Sequence, residues 1–198
     1  MNPKINQLLK KYHGTITSKI AVKQGISRSS LDYLVQKGEL DKDYPGVYTL
    51  ASQFADEFFW RSNIYNGVFS HETAAFLYGW TTTTPLIYDM TFAAGYNTAS
   101  KNFSKILIAP HHTKFFDLGL IYFNDFDDNP VRIYDRERTI CDLFRDQKRV
   151  DIWVRNESLK AYMCDSKRNL QQLKHYGKIL HVNDSLFELV GLTQQFLN

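Results

Sequence analysis

Two short apolar-periodic runs broken by one glycine lie in TSKIAVKQGISRSSLDYLVQKGEL, residues 17–40, and constrain the fold more than any other stretch. Thr17 can cap a helix in which Ile20 and Ala21 point inward. Ser27 can cap the next, whose buried stripe is Leu31, Leu34 and Val35. Gly25 permits the left-handed backbone of a sharp turn between them, and Ala21 is small where the two helices come closest. Upstream, Ile5, Leu8 and Leu9 fall at helical spacing and predict a first helix ending near Gly14. Downstream, ELDKDYPGVYTL predicts two short strands around a Tyr44-Pro45-Gly46 turn. Three helices and a hairpin predict a winged helix-turn-helix over residues 1–50.

With Leu31, Leu34 and Val35 inward, the third helix exposes Ser27, Arg28, Ser29, Asp32, Tyr33 and Gln36, with Lys37 at its end. The first residues of such a helix are those that reach base edges in a DNA major groove. Arg28 suits a bidentate contact to guanine, Ser27 and Ser29 suit phosphate or base edges, and Tyr33 suits a sugar or thymine methyl. Lys19, Lys23 and Lys42 are placed to neutralise phosphates. Asp32 fits poorly beside phosphate unless it accepts from a cytosine amino group or pairs with Arg28. Charge points the same way: residues 1–50 hold eight Lys/Arg against four acids, a net +4, while the whole chain carries +3. The competing reading of the same residues is a compact helical corner that docks another protein.

Residues 51–198 show no repeat, low-complexity tract or Pro/Gly/Ser-rich linker and are expected to form one larger domain. Residues 51–65, apolar at Phe54, Phe58 and Phe59, predict a connecting helix, and SHETAAFLYG predicts another that starts at a Ser70 cap. Four β-prone segments (87–93, 105–109, 120–123 and 131–134), separated by turn residues, predict a roughly four-stranded, mostly antiparallel sheet. Helices return with stripes at Ile140, Leu143 and Phe144, at Leu170, Leu173 and Leu180, and at Leu189 and Val190. The fold class expected is α+β: an N-terminal winged helix-turn-helix, then a larger mixed domain with flanking helices.

Catalytic patterns are sparse, so no enzymatic activity is expected. His71-Glu72 begins like HExxH, but Ala75 stands where the second zinc ligand belongs, and His111-His112 lack cysteine or acid partners at zinc spacing. Neither metal ligand nor cofactor is assigned. Ser70 lacks the glycines of a nucleophile elbow, and there is no GxxxxGK[ST] or GxGxxG. Asp146-Gln-Lys148 and Asp165-Ser-Lys167 echo nuclease motifs without a second acid on a strand. Cys141 and Cys164 form no CxxC and are expected as free thiols. No apolar run is long enough for a membrane span, and the charged, amphipathic start lacks a secretory apolar stretch, which predicts a cytoplasmic protein. Basic residues recur late in the chain. Arg136, Arg138, Arg145, Lys148 and Arg149 are either an ion-paired face or a second surface for DNA flanks or a partner.

Three stretches together resemble the AbiEi family of antitoxins from bacterial abortive-infection systems: the basic winged helix with YPGVYTL at its wing, GVFSHETAAFLYGW, and VRIYDRERTICDLFRD. The likeness runs from about residue 4 to residue 146. It implies a DNA-binding domain at 1–50 and an antitoxin domain at 51–198. It implies repression of the chain's own operon through inverted repeats in double-stranded promoter DNA. It also implies phage resistance through a type IV toxin–antitoxin system, in which a nucleotidyltransferase toxin is counteracted without a stable complex. From the residues alone, a ligand-responsive winged-helix regulator or a DNA-processing enzyme remains an alternative.

Overall fold

In the computed structural model, which describes residues 2–99, 101–182 and 184–197, the chain opens with α1 (Pro3–Lys11). Asn2 caps this helix by accepting from the Lys4 amide, Pro3 occupies its first turn, and Ile5, Leu8 and Leu9 are buried. A three-residue strand, β1 (Thr15–Thr17), leads into α2 (Ser18–Lys23), where the Thr17 side chain accepts from Ile20 N. Gly25 takes φ +76°, and Ile26 N donates back to the Ala21 carbonyl, which closes the turn. α3 (Arg28–Gln36) starts at Ser27, whose hydroxyl accepts from Ser30 N, and buries Leu31 and Leu34. Strands β2 (Leu40–Tyr44) and β3 (Val47–Leu50) flank the Pro45-Gly46 turn. β3 pairs antiparallel with both β2 and β1, in the order β1-β3-β2. Helices and wing are thus where the periodicity puts them; β1, only three residues of TIT, carries no local signal.

The chain divides into two compact units, Met1–Asn66 with Tyr122–Val131, and Gly67–Ile121 with Arg132–Asn198. The first unit therefore extends past residue 50, where the sequence suggests a boundary. It takes in α4 (Glu57–Ile64), capped by Asp56, whose Oδ1 accepts from the Phe58 and Phe59 amides. Asp56 N donates to Thr15 Oγ1, the Thr17 hydroxyl donates to Asn63, and the Tyr12 and Phe59 rings stack 4.9 Å apart. These contacts bind α4 to β1 and α1. The helix is shorter than the 51–65 expected, because Asp56 sets its start. Phe54, expected to pack, lies before that cap and is 99% exposed. The segment 122–131 joins this unit through Asn129, whose amide donates to Asp56 Oδ2 and the Tyr12 carbonyl.

The second sheet has five strands in the order β6-β5-β4-β8-β7: β4 (Val68–Phe69), β5 (Tyr88–Ala93), β6 (Ile108–Thr113), β7 (Leu120–Asn124) and β8 (Pro130–Tyr134). It is mixed rather than mostly antiparallel: β5 pairs parallel with β6 and β4 parallel with β8, while β4 and β5 are antiparallel. A parallel neighbour needs a long connection, and residues 94–107 provide it. A 3₁₀ turn, Phe103–Ile106, takes up the first two residues of the expected 105–109 strand. Helices α5 (His71–Leu77), α6 (Arg136–Arg145), α7 (Ile152–Cys164), α8 (Leu170–Leu180) and α9 (Ser185–Leu197) complete the chain.

The core of the second unit is built by Ile140, Cys141, Leu143 and Phe144 of α6 against Trp80, Val154, Tyr162, Leu173, Leu180 and Val190. Full burial of such side chains stabilises by about 1.5–3 kcal/mol each. Leu189, expected inward with Val190, is 41% exposed, so α9 turns a narrower stripe to the core. Of the residues that start the helices of the two long motifs, Asp135 caps its helix, whereas Ser70, expected as a cap, does not. Asp135 Oδ1 accepts from Arg138 N, whereas the Ser70 hydroxyl makes no cap bond and turns to His71 and Thr91 instead. Cys141 is buried and Cys164 exposed, both as free thiols.

Candidate nucleic-acid interface

Capping at Ser27 and burial of Leu31 and Leu34 fix the rotation of α3. The exposed arc carries Ser27, Arg28, Ser29, Tyr33, Gln36 and Lys37, with Asp32 partly covered. A cleft of about 690 Å³ runs between α2, α3 and the wing, lined among others by Lys19, Lys23, Arg28, Asp32, Lys42 and Tyr48. Five of the nine residues assigned to DNA from sequence thus meet in one place. Ser29, Tyr33 and Lys37 line a second hollow, on the side of α3 toward Asn2 and Ile5.

The polar contacts sort these side chains by role. Arg28 is exposed and makes no ion pair or hydrogen bond among the described residues, so its planar donors stay available. Lys23 is likewise exposed and unpaired among them. Lys19 instead donates to the Asn63 carbonyl at 2.7 Å and to Asn66 Oδ1 at 3.3 Å, which draws its ammonium toward the end of α4. Ser27 uses its hydroxyl as the helix cap and shares it with Ser29 and Ser30 at 2.9 and 2.7 Å, so little of it is left for a ligand. Lys37 lies over the Tyr33 ring, 4.8 Å from its centroid.

Asp32 does not pair with Arg28 among the described residues. Its Oδ1 accepts from Lys42 Nζ at 2.9 Å and from the Tyr48 hydroxyl at 3.0 Å. The Lys42 hydrogen bond, then that of Tyr48, holds the Asp32 carboxyl below the usual carboxylate range. The residue that looked out of place on a DNA-facing helix is therefore a tie between that helix and the wing. Lys42, expected to face phosphate, is its ion-pair partner.

The second basic surface proposed from sequence does not form as a patch. Arg138 is fully buried: Nε donates to Asp142 Oδ2 at 3.0 Å and Nη1 to the Phe115 and Leu118 carbonyls, with the guanidinium 4.3 Å from the Tyr134 ring centroid. Gly119, at φ +77°, lets that loop approach, since a Cβ there would come within 2.8 Å of Arg138 Cβ. Arg136 is paired with Asp165 at 2.7 Å and Arg145 with Asp142 at 2.9 Å. Only Lys148 and Arg149 of the five are exposed. Asp142, four residues after Arg138 and three before Arg145, and the distant Asp165 at the end of α7 neutralise the rest.

Three helices with a two-stranded wing make the N-terminal part of the first unit, α1 to β3, a winged helix-turn-helix. Residues 3–51, which span that motif, match the protein-family model described as "Transcriptional regulator, AbiEi antitoxin". The SHETAAFLYG and YDRERTICDL stretches lie outside the matched residues. The search of curated proteins gives no match. Among solved structures, the crystal structure of RV2827C protein from Mycobacterium tuberculosis is similar at a TM-score of 0.59 and 10% identity, covering 94% of this chain and 73% of that one. At that identity the likeness is one of fold: a mixed α+β chain of the same architecture. No described helix is long and apolar enough to cross a membrane.

Proposed function

We propose that the chain is a DNA-binding antitoxin that represses its own operon. In this account α3 enters the major groove of an inverted repeat in double-stranded promoter DNA, Arg28 reads a base edge, and Lys23 neutralises phosphate. The observation that carries it is the exposed, unpaired Arg28 in a cleft shared with Lys19, Lys23 and Lys42. The AbiEi regulator match over residues 3–51 supports the same assignment. Ser29 and Tyr33 contribute sugar and phosphate contacts, and the Asp32–Lys42 pair fixes the wing rather than touching bases.

The second unit is proposed to counteract a nucleotidyltransferase toxin, in a cytoplasmic type IV system that confers phage resistance, without stable complex formation and without catalysis of its own. The test has two arms. A mobility-shift assay compares DNA upstream of the chain's own gene with a shuffled sequence, and a growth assay co-expresses the chain with a nucleotidyltransferase toxin. Selective shift and restored growth are expected. A shift of both DNAs alike removes the operator reading, and unrelieved toxicity removes the antitoxin reading.

A further inference from the structure

The second unit brings together three side chains that the sequence keeps 40 and 35 residues apart. His71 starts α5, His111 lies on β6, and Asp146 follows the last turn of α6. One ring nitrogen of each histidine and one oxygen of Asp146 all lie within 4.8 Å of one another. The two imidazoles stack with centroids 4.0 Å apart. His71 Nε2 is 2.9 Å from Asp146 Oδ2, and Ser70 Oγ is 2.9 Å from its Nδ1. His111 Nε2 is 2.8 Å from Asp89 Oδ1, and its Nδ1 makes no hydrogen bond among the described residues.

We propose that His71, His111 and Asp146 form a three-ligand site for a divalent transition-metal ion of the zinc class. Two imidazoles and a carboxylate are a donor set such ions favour, and three protein ligands leave one position open to water or another oxygen donor. Metal-bound histidines characteristically have a polar partner on the opposite ring nitrogen, which fixes tautomer and ring orientation. Both are provided: Ser70 on His71 Nδ1 and Asp89 on His111 Nε2. Ser70 is held in turn by the Thr91 hydroxyl, which donates to it at 2.9 Å. Asp146 is anchored through its backbone, whose carbonyl accepts from Arg149 N and Val150 N.

The ligand atoms of a tetrahedral ion lie about 3.4 Å apart, so the His71–Asp146 pair, now at 2.9 Å, opens by about 0.5 Å while wider separations, within 4.8 Å, close by at most about 1.4 Å. His111 and Asp146 can supply that movement, being 11% and 32% exposed, while His71 stays fixed at 2%. Access is available, since His71 and His111 line a cleft of about 420 Å³ and His111 and Asp146 one of about 540 Å³. The nearby cation does not occupy Asp146: Arg145 is bonded to Asp142 at 2.9 Å and approaches Asp146 only to 4.0 Å. The same atoms also trace a Ser–His–Asp chain, but Ser70 is fully buried, out of reach of any substrate for nucleophilic attack.

The test uses the untagged full chain, stripped with a chelator and titrated with zinc by calorimetry and with cobalt by visible absorption. One ion per chain is expected, with cobalt bands of a low-coordinate nitrogen–oxygen site. Asp146→Ala and the conservative His111→Gln, each checked for native circular dichroism, should bind zinc at least about 10-fold more weakly, and Asp89→Asn about 10–100-fold more weakly. Absence of saturable uptake by the wild-type chain overturns the proposal. So does wild-type affinity in either ligand variant, which would place the ion on other histidines.

Discussion

Lys42 Nζ donates to Asp32 Oδ1 at 2.9 Å, and this pair joins the wing to the helix proposed to read DNA. The carboxylate also accepts from Tyr48, so its position is set from two points on the wing sheet. A negative charge on that helix is thereby balanced at a fixed place, and the wing's lysine is directed by α3 rather than swinging free.

Replacing Asp32 by Ala should release Lys42 to phosphate and remove a repelling charge. The slope of log affinity against log salt should steepen by about 1 for each phosphate gained. Fluorescence anisotropy over a potassium chloride series measures it. A slope unchanged from wild type would mean that Lys42 reaches no phosphate even when freed.

Arg138 and Asp142 form an ion pair with both side chains fully buried. Arg138→Met should destabilise the chain by about 3–5 kcal/mol, because it leaves the buried Asp142 carboxylate with only the partly exposed Arg145 as a partner. The double variant Arg138→Met, Asp142→Leu should recover part of that loss, since both charges are then gone. Urea unfolding of the double variant and of both singles, Arg138→Met and Asp142→Leu, decides it; a double variant as unstable as the sum of its singles would make packing, not charge, the cause.

Burial, and then the Asp56 carboxylate beside it, pushes the Asp125 carboxyl up to about 8, against backbone hydrogen bonds from Asn129 and Asp127 that pull the other way. A carboxyl raised on folding stabilises fully below its unfolded value and loses that contribution as pH rises through its folded value. Stability should therefore fall between pH 3.8 and about 8 on account of this group. Asp125→Asn should flatten that part of the profile and raise the urea midpoint at about pH 8.5. Identical pH profiles for variant and wild type would contradict the assignment.

Cutting the chain after residue 50 should not yield a soluble antitoxin fragment. The cut removes Thr15, Thr17 and Tyr12 while leaving α4, which needs them as partners for Asp56, Asn63 and Phe59. Gel filtration should show aggregation, so DNA binding and toxin control are better separated by Arg28→Ala in the full chain. A monomeric, folded 51–198 fragment would show that α4 does not depend on the first helices.

The local features were legible from sequence: capped helices at Thr17 and Ser27, the Gly25 turn, the Pro45-Gly46 wing, and the stripe at Ile140, Leu143 and Phe144. Each is written in residues a few positions apart. What the sequence did not disclose depends on distant neighbours. The parallel pairing of β5 with β6 turns on a 14-residue connection, and Arg138 looks like a surface cation until the 115–118 carbonyls surround it. An HExxH partner for His71 would stand four residues along its own helix, whereas His111 and Asp146 reach it through the fold. Asp32 has no partner among the described residues of its own helix, and the residue that explains it, Lys42, lies ten positions on, in the wing.

The most direct measurement is the affinity of the full chain and of Arg28→Ala for operator and shuffled duplexes at one salt concentration. The account predicts that the variant, folded as wild type by circular dichroism, loses about 1–3 kcal/mol on the operator and much less on the shuffled DNA. Equal affinity of variant and wild type for the operator would contradict it, because α3 would then not be the element that reads the sequence.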